Sequence, residues 1–191
     1  MKSKITTRTI TTVGALTALI WVMYLSGIGF IPTPWGLKIT IMHLPVIIGA
    51  ILEGPFVGAF LGLMFGITSM LQNMGGPFGP IFLDPMVSVV PRICIGLVAY
   101  LCYRYFPERP RAFRVGLAAA FATFTNTAGV LGTIYFFHAK QYIESKHIDP
   151  TTLKAVLWGV VATNSIPEII AAVIITVAVV LSVQTALRDK K

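Results

Sequence analysis

Four polar side chains stand where a long apolar run would exclude them. Glu168 follows Pro167 roughly midway along the last apolar segment, four residues after Asn164. Arg92 directly follows Pro91 inside an earlier segment, and Asn126 lies between Thr125 and Thr127 in the one between. A carboxylate or guanidinium at membrane depth is costly and faces a partner, a water-filled cavity or a ligand. A guanidinium offers a planar fork of donors suited to a carboxylate or phosphate. Amides and a carboxylate on neighbouring helices add donors and acceptors for hydroxyls or an amide. The same groups have a plainer use: Arg92 can pair with Glu168 or cap backbone carbonyls, and asparagines bond across helices. The pattern is a set of polar groups at comparable depth on several helices, and the chemistry it offers is recognition of a small polar molecule.

Proline sharpens that reading. Pro91 has no N–H, which frees the carbonyl of Val87, and Pro167 frees that of Thr163. Asn126 shares a helical face with Thr123, Thr127, Val130 and Thr133, and Asn164 shares one with Glu168. Nearer the segment ends stand His43, Gln72, Asn73 and Asp84. Two loops rich in glycine, proline and aromatic residues, 31–36 with Trp35 and 74–80 with Phe78, have the composition of a lid over an outward-facing pocket. Trp35 equally fits an interfacial anchor.

The elements that must position these groups are apolar helices. Of the 191 residues, 55% are hydrophobic and 12% charged, and mean hydropathy is +0.81. A soluble domain carries about twice that charged fraction. The chain reads as an all-α integral membrane bundle forming a single membrane-embedded substrate-binding domain over 1–191. Six segments follow at roughly 10–31, 38–53, 55–73, 84–106, 113–137 and 153–186. The second is short and interrupted at Pro45, and Glu53-Gly54-Pro55 makes a tight hairpin to the third. The first run is too long for a signal peptide and no small-x-small cleavage site follows it.

Six spans put both termini on one side. Lys2, Lys4, Arg8, Arg104, Arg109, Arg111, Arg114, Arg188, Lys190 and Lys191 fall on that side. Lys38, Lys140, Lys146 and Lys154, partly balanced by Glu144 and Asp149, fall on the other. The positive-inside rule assigns both termini to the cytoplasm. The net charge of +8 is then chiefly a topology signal with some attraction to anionic lipid, and nucleic acid is not needed to explain it.

Gly54, Gly58, Gly62 and Gly66 recur every four residues in the third segment, a bare strip for close helix packing within the bundle. In the first segment Thr11 with Ala15, and Gly14 with Ala18, form a shorter small-residue surface. Packing inside the bundle is its default use, and a partner's helix would need the same surface. Cys94 and Cys102 are about 12 Å apart along one helix, too far for a disulfide. No spacing of His, Cys and carboxylates reads as a metal site. No GxxxxGK[ST] loop, Ser-His-Asp or Cys-His arrangement stands out, so no catalytic residues, metal or cofactors are expected, and ATP hydrolysis is not expected of this chain.

The ordered motifs carry a resemblance. His43-Leu44-Pro45-Val46 through Glu53-Gly54-Pro55, with Gly58-Ala59, is similar to the hairpin between segments two and three of S components of energy-coupling factor (ECF) vitamin transporters. Val90-Pro91-Arg92-Ile93 with Gly96 resembles the Pro-Arg motif of one branch. Thr125-Asn126-Thr127 and Asn164-Ser165-Ile166-Pro167-Glu168 resemble that branch's motifs in segments five and six. The likeness covers roughly 10–185 in the right order. It implies a subunit of the bacterial cell membrane that captures one vitamin from outside and docks on a transmembrane coupling subunit bearing two ATPases. It also implies docking through the first helix, with Gly14 and Ala18 nearest to the family's Ala-xxx-Ala surface and Thr11 and Ala15 alongside. The branch most similar is that for pantothenate, whose carboxylate suits Arg92 and whose hydroxyls and amide suit Asn126, Asn164 and Glu168. Folate, a thiamin precursor, riboflavin and a queuosine precursor stay open as substrates, with Trp35, Phe78, Phe82, Tyr135 and Trp158 as aromatic walls. Two other classes stay open beside it: an ion-coupled secondary transporter using Glu168, His43 or Asp84, and a scaffold in which the polar groups are structural glue.

Overall fold

A computed structural model describes residues 6–32, 38–76 and 78–188. Trp35, Lys2, Lys4, Lys190 and Lys191 lie outside the described residues, as do the rest of the 33–37 loop and Pro77. The chain is almost entirely helical. Helix α1 spans Thr7–Leu25 and starts where the Thr6 hydroxyl accepts the N–H of Thr9 at 3.3 Å. Gly27, at φ +74°, turns the chain out of the helix. The expected first segment therefore stops short of residue 31, and Phe30–Pro32 forms strand β1 instead. It pairs antiparallel with β2, Lys38–Thr40, and Phe30 faces Thr40 in register.

Helix α2 covers His43–Glu53 and α3 Pro55–Asn73. Pro45 does not interrupt α2. It sits in the first turn, where no intrahelical N–H is required. Gly54, at φ +105°, ends α2, and Pro55 opens α3 at once. Eleven residues of α2 rise about 16 Å, half a bilayer core. Its residues from His43 to Ile51 are buried on every side, so the bundle rather than lipid surrounds it.

Two single-turn helices, α4 (Gly79–Phe82) and α5 (Pro85–Ser88), lead into α6 (Val90–Tyr105). The fourth expected segment is thus broken at Val89, where Pro91 cannot supply an N–H to Val87. Helix α7 is Arg111–Phe137, α8 is Ala139–Lys146 and α9 is Leu153–Val160. A π-turn over Val161–Ser165 joins α9 to α10, Ile166–Arg188. Pro167 again lacks the N–H that would continue α-helical bonding, and the ladder widens for one turn.

Contacts fix the topology. Glu53, at the end of α2, accepts hydrogen bonds from the Thr9 hydroxyl at 2.8 Å and the Thr12 hydroxyl at 3.4 Å, and pairs with Arg8 at 3.4 Å. The short α2 therefore ends level with the start of α1, so the crossing count keeps the parity of six. Five described helical segments are long and apolar enough to cross a membrane, and α2 is the short sixth. At the same end Arg114 donates twice to the Tyr103 carbonyl, at 2.9 and 2.8 Å, and lies over the Tyr103 ring. Gln184 donates to the Tyr103 hydroxyl at 3.3 Å.

The glycine strip packs inside the bundle. A Cβ on Gly58 would lie 3.0 Å from the Gly96 Cα. One on Gly66 would lie 2.9 Å from the Ser88 carbonyl oxygen, and one on Gly62 would overlap the carbonyl of Arg92. Antiparallel α3 and α6 meet backbone to backbone along this line. Gly14 on α1 is the opposite case, because an added Cβ there meets nothing within 4 Å.

Gly62→Ala should cost about 1–3 kcal/mol through overpacking, read as a lower melting temperature of the detergent-solubilised protein. Gly14→Ala should leave that temperature unchanged or raise it. Equal effects at the two positions would contradict this packing.

Candidate functional site

The closeness of α3 to α6 decides how Arg92 is held. Its side chain is 5% exposed. The Nη1 group donates to the Val87 carbonyl at 2.6 Å, the acceptor that Pro91 leaves open. The Nη2 group donates to the Ser69 hydroxyl of α3 at 3.1 Å, and the guanidinium carbon lies 5.4 Å from the centre of the Phe65 ring. Nε is buried and meets no acceptor among the described residues. The arginine is oriented by structural contacts that use only part of its set of N–H donors.

Arg92 lines a cavity of about 190 Å³. Helix α3 contributes Ser69, Gln72 and Asn73, and Asn73 is steadied by donating to the Ser69 carbonyl at 2.7 Å. Helix α7 contributes Asn126, Thr127, Val130 and Leu131. Asn126 Oδ1 is buried without a hydrogen-bond partner among the described residues. Val160, Asn164 and Glu168 come from the last span, and the π-turn carries Asn164 into the wall. Phe30 and Thr40 from the β-pair, with Gly76, Phe78 and Phe82, complete the lining.

Glu168 is buried, and its Oε1 accepts the backbone N–H of Thr40 at 2.7 Å. Thr40 in turn donates its hydroxyl to the Gly29 carbonyl at 3.0 Å. Glu168 therefore ties the β-pair to the last span. Arg92 and Glu168 both border the cavity but form no ion pair among the described residues. A cationic fork, a carboxylate and amides around one cavity offer opposite chemistry to different parts of one small molecule.

Of the candidates read from sequence, Arg92, Asn126, Asn164, Glu168, Gln72 and Asn73 meet in this cavity. His43 does not. Helix α2 is enclosed on all sides, so His43 is fully buried in the core, with the Thr40 backbone and Arg92 as polar neighbours, and it does not line the cavity. Trp35 lies outside the described residues. Tyr135 and Trp158 border a different depression on the bundle's outer surface. Ser69, Thr40 and Phe30 were missed. Ser69 stands one turn before Asn73 and one turn after Gly66, a spacing that marks it as a neighbour of both. Nothing in the local sequence marks Thr40, whose role comes from pairing across 128 positions.

The connection above the cavity is braced. Phe78 stacks on the fully buried Tyr142 of α8, with centroids 5.5 Å apart. Asp84 caps α5 by accepting the Met86 N–H at 2.8 Å, and its other oxygen lies 2.8 Å from His138 Nε2. His138 Nδ1 lies 2.6 Å from Gln141 Oε1. These contacts join the entry to α6 with the end of α7.

The sequence matches the family model for the substrate-specific component of ECF transporters over residues 8–180. It is 36% identical over 163 residues to the pantothenic acid transporter PanT of Lactococcus lactis subsp. cremoris, covering 77% of this chain and 78% of that one. It is also 30% identical over 151 residues to the pantothenate transporter PanT of Leuconostoc mesenteroides subsp. mesenteroides, covering 75% and 74%. The chain is an ECF transporter S component. As such it is a multi-pass protein of the bacterial cell membrane and a transport subunit rather than an enzyme. Its membership implies a vitamin substrate and an ECF module as partner. In this S component polar groups from four helices and the β-pair converge on one cavity.

The Met86 N–H first, and His138 second, hold the Asp84 carboxyl below its ordinary value. A lowered folded-state value contributes stability above the ordinary carboxylate range, and that stability is lost as pH falls through it. Melting temperature followed from pH 7 to pH 3 should fall at the acid end in the wild type. Asp84→Asn should melt lower at pH 7 and lose part of that acid dependence. An identical acid limb in both would remove Asp84 from the account.

Proposed function

We propose that this S component captures pantothenate from outside and hands it to an ATP-driven ECF module. The observation that carries this reading is one cavity lined by both Arg92 and Glu168, which form no ion pair with each other among the described residues. Pantothenate brings a carboxylate for the guanidinium, an amide for Asn126 and Asn164, and hydroxyls for Glu168. Both relatives are named for the same compound. The cavity of about 190 Å³ is below the usual range of about 300–1,000 Å³ for drug-sized ligands. That favours a compact acyclic vitamin over folate, riboflavin or another multi-ring substrate. Gln72 and Asn73 are available to the same ligand, and Trp35 stays a candidate on its loop.

The basic cluster formed by Arg8, Arg104, Arg109, Arg111 and Arg114, at the end where Glu53 meets α1, supports a cytoplasmic location for both termini. The cavity then belongs to the outer half, beneath the 74–82 connection and the β-pair. Thr11, Gly14, Ala15 and Ala18 are exposed on α1 rather than packed within the bundle. Small residues on an exposed helix face permit close approach by another helix. In this reading they meet the coupling subunit, and the two ATPase subunits of the module hydrolyse ATP.

Isothermal titration of the detergent-solubilised protein should show tight pantothenate binding. Removing one partner of a buried, hydrogen-bonded charge pair costs about 2–5 kcal/mol, so Arg92→Ala should weaken it by about 30-fold or more. Because Arg92 also holds Val87 and Ser69, Asn126→Ala serves as a second variant, with a smaller loss. Binding of another vitamin with no response to pantothenate would discard the substrate and keep the family. Gly14→Trp or Ala18→Trp should leave binding intact and abolish ATP-dependent uptake in vesicles containing the whole transporter. Unimpaired uptake would move the docking face elsewhere.

A further inference from the structure

A second depression, of about 380 Å³, opens on the outside of the bundle between α7 and α9. On α7, Phe124, Ala128, Leu131 and Tyr135 recur at spacings of three and four, so the trough follows the helix axis for about 16 Å. The facing wall is formed by Leu157, Trp158 and Val161, and Lys154 from the first turn of α9 stands at one end. Gly132 lies in its floor, and a Cβ added there would meet nothing within 4 Å. The bundle itself therefore leaves the trough unfilled. Trp158 is 72% exposed and Phe124 49%.

The occupant is decided by charge and depth. Every side chain of the trough apart from Lys154 is apolar or aromatic, and Lys154 forms no ion pair among the described residues. Tyr135 lies near the end of α7, on the same membrane face as the start of α9. Tyr and Trp are the residues that settle at headgroup level, and a Lys beside them attracts an anionic lipid surface. A lipid answers both parts at once, with a phosphate for the ammonium at headgroup level and an acyl chain for the apolar trough. We propose that the trough is a lipid site, taking one acyl chain of an anionic glycerophospholipid with its phosphate at Lys154. Leu131 borders both this trough and the polar cavity. A seated chain therefore backs the α7 wall that carries Asn126 and Thr127.

The test is native mass spectrometry of the detergent-released protein, titrated with dioleoylphosphatidylglycerol or dioleoylphosphatidylcholine. One phosphatidylglycerol adduct should outlast the others as collision energy rises, with a preference of about fivefold over phosphatidylcholine. Lys154→Gln should abolish that preference. Gly132→Leu, which fills the floor, should remove the persistent adduct while the circular dichroism spectrum and elution volume stay unchanged. If Gly132→Leu fails to fold, the Lys154→Gln preference alone decides. No persistent adduct, equal retention of the two lipids by the wild type, or retention unaffected by Lys154→Gln would overturn the proposal.

Discussion

Pro91 withholds an amide hydrogen from the Val87 carbonyl, and Arg92 supplies one in its place at 2.6 Å. In hydrocarbon a backbone carbonyl without a donor costs several kcal/mol, and so does an arginine without acceptors. The pair answers both demands at once. The second anchor, Ser69, is within reach because Gly58, Gly62 and Gly66 let α3 lie directly on the α6 backbone. Any larger residue at Gly62 would push Ser69 away from the guanidinium. The glycine strip thus shapes the cavity wall as much as the packing.

The opposite wall follows the same logic with a different outcome. Pro167 removes an N–H from the last span, and the chain responds with a π-turn. Asn164 and Ser165 turn inward there, and Glu168 one turn on reaches the Thr40 N–H at 2.7 Å. Two prolines at corresponding depths therefore yield one broken helix and one widened helix. Each of them directs a charged side chain toward the same space. That Arg92 and Glu168 border this space without pairing leaves both available to a ligand with complementary ends.

The two ends of the bundle are held by different contacts. Glu53, Arg8 and Thr9 tie α1 to the α2–α3 hairpin at the arginine-rich end, while the small residues of α1 face outward. At the other end the β-pair, the Phe78–Tyr142 stack and the Asp84–His138 contact enclose the cavity. The cavity and the exposed small-residue face of α1 thus lie on separate surfaces of a small bundle.

Hydropathy alone determined the membrane class, and the four-residue glycine spacing determined which face of α3 packs, because lipid imposes those patterns locally. The prolines announced where backbone carbonyls would be freed. Sequence could not decide who would answer them. Arg92 turned back to Val87 rather than across to Glu168 because Ser69 of α3 and Val87 lie within reach of its guanidinium while Glu168 stands on another wall. His43, a polar residue in a promising position, was buried in the core because α2 is surrounded on all sides. Thr40 became the partner of Glu168 only through a strand pairing that local composition does not encode. Periodicity and cost of burial are properties of a segment and can be read from it. Which polar group meets which is fixed by distances between segments, and only the packed bundle sets those.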